Sequence, residues 1–173
     1  MEQKKKIILL AGPTASGKSK LSIKLAKFFN GEIINADSMQ VYKEINVLTS
    51  KPSPKDQKIV KHHLYGFNSV KKDFSTGHWL KMATKNIKLQ WAKGKTPIVV
   101  GGTGLYFKAL TDGLVKIPKI SKKTKKEVRK LHKQIGQKIF YNKLIKLDPL
   151  VKKFVLPTDS QRSIRAYEVK KIT

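Results

Sequence analysis

Along the first half of the chain, apolar positions fall into two alternating patterns. Ile7 to Ala11 is a short continuous apolar run, and it is followed by Leu21, Leu25 and Phe28 at helical spacing, with Asn30-Gly31 as a stop signal. Glu32 to Ala36 in "GEIINADS" and Thr96 to Val100 in "TPIVVGGTG" are two more short apolar runs that end in small or polar residues. Between them, Ser53-Pro54 reads as an N-cap with proline at the first helical position, opening a short helix to about Lys61. His63 to Phe67 reads as a short strand. A longer helix is predicted from about Gly77 to Lys93, with Leu80, Ala83, Ile87 and Trp91 inward and Gly94 as its stop. Short strands alternating with helices predict an α/β protein with a parallel sheet. After Gly113 the pattern is helical with no further strand, so a boundary near Pro118 divides an α/β part, 1–117, from a helical part, 118–173. No internal repeat is evident.

The first strand runs straight into "GPTASGKS", which matches G-x-x-x-x-G-K-[ST] from Gly12 to Ser19 between a predicted strand and a predicted helix. In that context, Gly12 and Gly17 allow backbone angles at which successive N–H groups face one anion. Lys18 adds a point charge toward phosphate, Ser19 a hydroxyl toward a metal ion, and the helix N-terminus a partial positive charge. Ligands of open parallel sheets lie at the carboxyl ends of the strands, so this loop, Asp37-Ser38 and Gly101 to Gly104 are expected around one crevice. At that place the Asp37 carboxylate suits a metal ligand or a general base, and at least equally a helix cap in "ADSMQVY". Thr103 suits a ligand hydrogen bond or a tight structural turn. His62 and His63 point opposite ways on an extended chain, which favours packing or turn roles over a metal pair.

Composition narrows the setting. The chain has 173 residues, enough for one domain with a core and a small appendage, and no cysteine, so disulfides and zinc-thiolate sites are excluded. The start "MEQKKKIILLAGP" has the charged end of a signal peptide, but its apolar part is short and leads into the phosphate loop. With no run of membrane-spanning length, a cytoplasmic protein without membrane association is expected. The formal charge is +27, carried by 38 basic residues of which only Arg129, Arg162 and Arg165 are arginine, leaving 35 lysines. Such charge fits a polyanionic partner or a compositional bias toward lysine. Lys122, Lys123, Lys125 and Lys126 crowd the start of a helix expected at Ser121, against its dipole. In "TDSQRSIRAYEV", Asp159, Arg162, Arg165 and Glu168 recur every three residues. They fit mutual neutralisation on a solvated face, or bidentate recognition of phosphate or a base edge by the two arginines.

Together, "GPTASGKS", "NADSMQVYKEINVLTSKP", "HHL", "VVGGTGLYF" and "DSQRSIRAYEV" resemble the tRNA dimethylallyltransferases, the isopentenyl-tRNA transferases, in the order that family has them. The resemblance implies a P-loop NTPase-like parallel sheet with flanking helices plus a helical inserted domain, of which this chain is the N-terminal part. It implies transfer of a dimethylallyl group from dimethylallyl diphosphate to N6 of the adenosine 3′ of the anticodon, with Mg²⁺ as cofactor and the tRNA anticodon stem-loop as partner, by a monomer. Gly12, Pro13, Thr14, Ala15, Ser16, Gly17, Lys18 and Ser19 would hold the diphosphate, Ser19 with the metal. Asp37 would be the base, with Thr103 and Lys18 also at the reaction centre. Asp37, Ser38, Met39, Gln40 and Thr103 would line the target base, and Lys125 with Gln161, Arg162, Ser163, Ile164 and Arg165 would contact tRNA in the helical part. The chain departs from the family where Leu48 stands at a usual glycine. A P-loop small-molecule or nucleotide kinase shares the loop and the fold, but has no use for the basic helical tail.

Overall fold

The computed structural model describes residues 5–45 and 51–173; Leu48, where the family pattern is broken, lies outside them. Four parallel strands, β1 (Ile8–Ala11), β2 (Gly31–Asn35), β3 (His62–His63) and β4 (Thr96–Gly101), lie in the order β1-β4-β2-β3. Ile8 pairs with Ile98 and Ile98 with Ile33, so residues of equal parity face the same side across three strands. Ile33, Ile98 and Val100 face one way and pack with Ala26 of α1 (Lys18–Phe28). Ile34 and Val99 face the other way, against Trp79, Ala83 and Ile87 of α3 (Thr76–Ala92) and Tyr106 of α4 (Gly104–Asp112). Cover on both faces explains why β2 is buried at every position, including polar Glu32 and Asn35, whereas edge strand β1 is buried less completely.

The sheet selects different helix faces from those the periodicity suggests. On α1 the buried residues are Ser22 and Ala26, with Leu21 46% and Phe28 81% exposed. Small side chains at the contact let the helix lie close to the sheet, while Ile23 and Leu25 fill its flanks. On α3 the buried residues are Trp79, Ala83, Ile87 and Gln90; Leu80 and Trp91 are only half-buried. Trp79 takes the centre because its ring stacks on Tyr106 at 4.3 Å and its indole N–H reaches the Asn35 carbonyl at 2.7 Å. The predicted strand His63 to Phe67 is only His62–His63, since left-handed Leu64 (φ 63°) and Gly66 (φ 55°) turn the chain away from the sheet. Helix α2 (Pro54–Ile59) has the expected Ser53 cap, reciprocated by Asp56, and stops two residues short of Lys61.

By its internal contacts the chain divides into a unit ending at Leu114 and a second unit, Val115–Thr173. The second is helical: α5 (Lys122–Leu147), broken at Gly136 where φ is 74°, a 3₁₀ turn at Pro149–Lys153, and α6 (Ser160–Lys170). Its core is Val128, Phe140, Leu144, Val151 and Tyr167. Among the described residues no helix is long and apolar enough to cross a membrane.

Among the described glycines, the closest approach is at the end of β4. A Cβ on Gly101 would lie 2.1 Å from the carbonyl carbon and oxygen of Ala36, both backbone atoms that no rotamer change can move aside. Gly101→Ala is therefore expected to destabilise the first unit by about 3 kcal/mol or more, the upper range for overpacking, read as a lowered urea midpoint.

Candidate active site

The loop from Gly12 to Ser19, the candidate phosphate site, is built by two left-handed residues, Ala15 (φ 64°) and Gly17 (φ 79°). For alanine this conformation costs roughly 1 to 2 kcal/mol, a local strain the loop sustains. The Ser16 hydroxyl donates to the Pro13 carbonyl at 2.8 Å, and the Gly12 N–H donates to the Gly101 carbonyl at 3.3 Å, tying the loop to β4. Gly17 is the N-cap of α1 and supplies no side chain to its first turn, so the opening N–H groups are left for a ligand. Lys18 Nζ lies back across the loop, donating to the Pro13 carbonyl and to Ser16 Oγ.

Opposite the loop, the turn after β2 carries Asp37. Its Oδ1 accepts from the N–H of Met39 at 2.8 Å and of Gln40 at 3.4 Å; this caps a turn, and no helix follows for the helix cap that the sequence suggested. Its Oδ2 takes no hydrogen bond among the described residues. Thr103 Oγ1 accepts from the Ser38 N–H at 2.9 Å and donates to Ser38 Oγ at 3.2 Å, and the Thr103 N–H donates to the Ala36 carbonyl at 3.1 Å. Thr103 thereby holds the turn that presents Asp37.

Loop and turn face one cleft of about 420 Å³, lined by Thr14 to Lys20, Asp37, Gln40, Tyr65, Val100 and Gly101. Pro13 and Gly12 shape the loop from behind, Ser38 is held by Thr103, and Met39 is exposed. Sequence reasoning missed Tyr65. Burial, then the nearby Asp37 charge, push its phenol well above the ordinary range, so it stays a neutral hydroxyl at the cleft. The only sequence signal for it is its place just after "HHL". Tyr106, beneath the site, is pushed up to about 12 by burial, with Tyr42 and Asp37 adding to the shift.

Oxygen donors on Ser19 and Asp37 line the same cleft, the hard ligands a Mg²⁺ ion takes. Among the described residues no three His, Cys, Asp or Glu side chains cluster to hold a metal. An ion here fits only if diphosphate oxygens or water complete its shell.

In the helical unit, Lys125, Gln161, Arg162 and Arg165 are exposed, while Ser163 is buried and Ile164 is half-buried against the core. The Ser163 hydroxyl donates to the Asp159 carbonyl at 2.7 Å and accepts from Gln137 at 3.1 Å, so it braces α6 from within. Arg162 lies 3.5 Å from Asp159, and Arg165 and Arg129 lie 3.4 and 3.8 Å from buried Glu168. The three arginine side chains remain more than half exposed, so neutralisation and availability to an anion coexist.

His62 and His63 serve packing. His63 Nε2 meets buried Glu32 at 2.7 Å, with Lys95 3.6 Å from the other carboxylate oxygen, and His62 Nδ1 meets the Val60 carbonyl at 2.8 Å. Burial pushes the Glu32 carboxyl up, but the His63 hydrogen bond and charge, then Lys95 and Lys61, outweigh it and hold the group below its ordinary 4.5. Burial holds His62 below its ordinary 6.5, in the neutral form. A depressed folded value means stability present above the unfolded pKa and lost as pH falls through the folded one, and both groups share that sign. Stability is thus expected to fall on acidification, beginning below about pH 6.5 for His62 and below about pH 4.5 for Glu32. Urea titrations of wild type and Glu32→Gln at stepped pH check this, the variant losing the lower step.

The chain matches the family described as IPP transferase over residues 40–173, and the one described as isopentenyl transferase over residues 5–69. It is 56% identical over 173 residues to a tRNA dimethylallyltransferase of Pelagibacter ubique, covering 100% of this chain and 55% of that protein. To one of Rickettsia bellii it is 51% identical over 167 residues, covering 96% and 53%. Among solved structures, a eukaryotic dimethylallyltransferase acting on tRNA aligns with TM-score 0.79 and 35% identity over 93% of this chain and 40% of its own. The full-length tRNA isopentenylpyrophosphate transferase of Bacillus halodurans aligns with TM-score 0.64 and 34% identity over 98% and 56%. The chain therefore spans about half the length of the curated relatives it matches.

Proposed function

Since the chain belongs to the IPP transferase family, we propose that it carries the reaction centre for moving a dimethylallyl group from dimethylallyl diphosphate to N6 of the adenosine 3′ of the tRNA anticodon. The observation that carries the reading is the single cleft onto which both the phosphate loop and Asp37 open. An allylic transfer needs both: an anion cradle for the leaving group and a proton acceptor for the attacking amine.

N6 of adenine is a poor nucleophile because its lone pair is delocalised into the ring. The C1–O bond of dimethylallyl diphosphate must therefore weaken early, its electron pair leaving with the diphosphate. Loop amides from Thr14 to Ser19, the start of α1 and Lys18 stabilise that growing charge. To serve, Lys18 Nζ must exchange the Pro13 carbonyl for phosphate oxygens. The N6–C1 bond forms as the amine proton passes to the Asp37 carboxylate, whose Oδ2 is the oxygen without a hydrogen bond among the described residues. The Ser19 hydroxyl would hold Mg²⁺, which would supply further positive charge toward the diphosphate.

Asp37 to Gln40 and Thr103 would border the base, which leaves its stack readily in an anticodon loop. The helical part would hold the stem-loop through Lys125, Gln161, Arg162 and Arg165, with Ser163 and Ile164 acting from inside by fixing α6. A cytoplasmic monomer acting on tRNA in solution is the setting this reading implies. The runner-up, a P-loop kinase, is less consistent with the family and with a basic helical unit. Incubation with labelled dimethylallyl diphosphate or γ-labelled ATP, each with tRNA, separates the two; label moving only from ATP would overturn the proposal.

Lys18→Ala is expected to slow transfer by about 10² to 10³ with tRNA affinity little changed. Asp37→Asn is expected to slow it by about 10² to 10⁴ with diphosphate affinity near wild type, since the amide keeps the shape but accepts no proton. Single-turnover rates and diphosphate titrations check both; collapse of diphosphate affinity in Asp37→Asn would make Asp37 a metal ligand instead. For the basic start of α5, changing Lys122 and Lys123 to Gln is expected to lower the salt slope of tRNA binding by roughly one to two units, measured by titration at several salt concentrations.

A further inference from the structure

Asn35 ends β2 with its side chain fully buried. A buried primary amide is costly unless its donors and acceptor are met, and here they are met around Asp37. Oδ1 accepts from the Asp37 N–H at 2.9 Å, and Nδ2 donates to the Asp37 carbonyl at 2.9 Å and to the Leu64 carbonyl at 3.0 Å. The first two bonds grip the two peptide planes on either side of the Asp37 Cα. With both planes held, the direction of the Cα–Cβ bond is set, and the carboxylate keeps only its own side-chain rotations.

The grip is itself anchored from two sides. Leu64 turns its carbonyl to the amide from a left-handed conformation, φ 63°. From α3, the Trp79 indole donates to the Asn35 backbone carbonyl at 2.7 Å, with the ring fully buried and stacked on Tyr106. A hydrocarbon of equal volume would fill the same space, so packing alone does not call for an amide that spends three hydrogen bonds here.

We propose that Asn35, tethered by Trp79, is a positioning residue for the transfer: its side-chain amide clamps the backbone of Asp37 so that the carboxylate stands at the cleft. This rests on the transferase reading for its effect on rate, but the clamp has a readout of its own. The Met39 N–H is bonded to Asp37 Oδ1, so it reports whether the carboxylate has been released.

The full chain is compared with Asn35→Ala and Asn35→Ser; serine can still accept from the Asp37 N–H but cannot span both carbonyls. Asn35→Ala is expected to lower kcat for transfer of labelled dimethylallyl to tRNA by about 10²-fold, the scale of a misplaced reacting group, with KM for both substrates within about threefold. Asn35→Ser is expected to recover about tenfold of that loss. Amide exchange followed by NMR is expected to quicken about tenfold at Met39 in Asn35→Ala, with Ile33, Ile34 and Val99 unchanged. Unaltered exchange at Met39, wild-type kcat in a folded Asn35→Ala, or protection lost equally across β2 and β4 would each overturn the clamp. If the wild-type chain transfers nothing to tRNA, the transferase reading fails by itself, and the exchange measurement still decides for or against the clamp.

Discussion

At the carboxyl end of the sheet, β4 comes so close to the chain leaving β2 that Gly101 has no room for a side chain beside Ala36. Three segments meet through that contact. The Gly101 carbonyl receives the N–H of Gly12 at the start of the phosphate loop; Ala36 donates to Val100 at 2.7 Å and accepts from Thr103. A loop that can cradle an anion, a turn that presents a carboxylate and a turn that carries a hydroxyl are thus bonded by main chain to one point. Backbone bonds between neighbouring strands are short and directional, so this framework sets the spacing of the groups more rigidly than long side chains could.

Two buried polar residues of β2 are held by partners from neighbouring elements. Asn35 and Glu32 stand on the most buried strand, one satisfied by Asp37, Leu64 and the other by His63 and Lys95. Buried polar groups left unmet would cost more than their apolar replacements, so their partners on β3, α3 and the following loops act as a condition on the fold. His63 belongs to this network, whereas His62 meets the Val60 carbonyl and the Tyr65 ring, so the two side chains have separate partners.

In the helical unit the charge is organised differently. Lysine covers its surface, whereas the three arginines stand beside Asp159 and Glu168. The surface pair Arg162–Asp159 contributes about 0 to 1 kcal/mol, whereas Arg129 and Arg165 offset the cost of burying the Glu168 carboxylate rather than adding net stability. The core of Val128, Phe140, Leu144, Val151 and Tyr167 holds α5 and α6 together, and the acids orient guanidinium groups that remain open to solvent. The opposed readings of this segment, neutralised decoration or anion recognition, are therefore compatible in one geometry.

The parallel α/β class, the turn from β1 into α1 at Gly12 to Ser19, the Ser53 cap, the start of a helix at Ser121 and the change to helix after Gly113 were legible in the sequence because each is local: a period, a cap or a glycine at fixed spacing. The family resemblance likewise rests on short contiguous motifs. What only the tertiary structure decided depends on contacts distant along the chain. Ser22 and Ala26, not Leu21 and Phe28, face the sheet because close approach favours small residues over hydrophobic ones. Trp79 displaces Leu80 from the centre of α3 because its N–H finds a carbonyl 44 residues away. Tyr65 reaches the cleft, and Asn35 grips Asp37, because Leu64 turns left-handed after a two-residue strand. Periodicity reports which way a side chain points from its own element, but which neighbour meets it there is set by the packing of elements against one another.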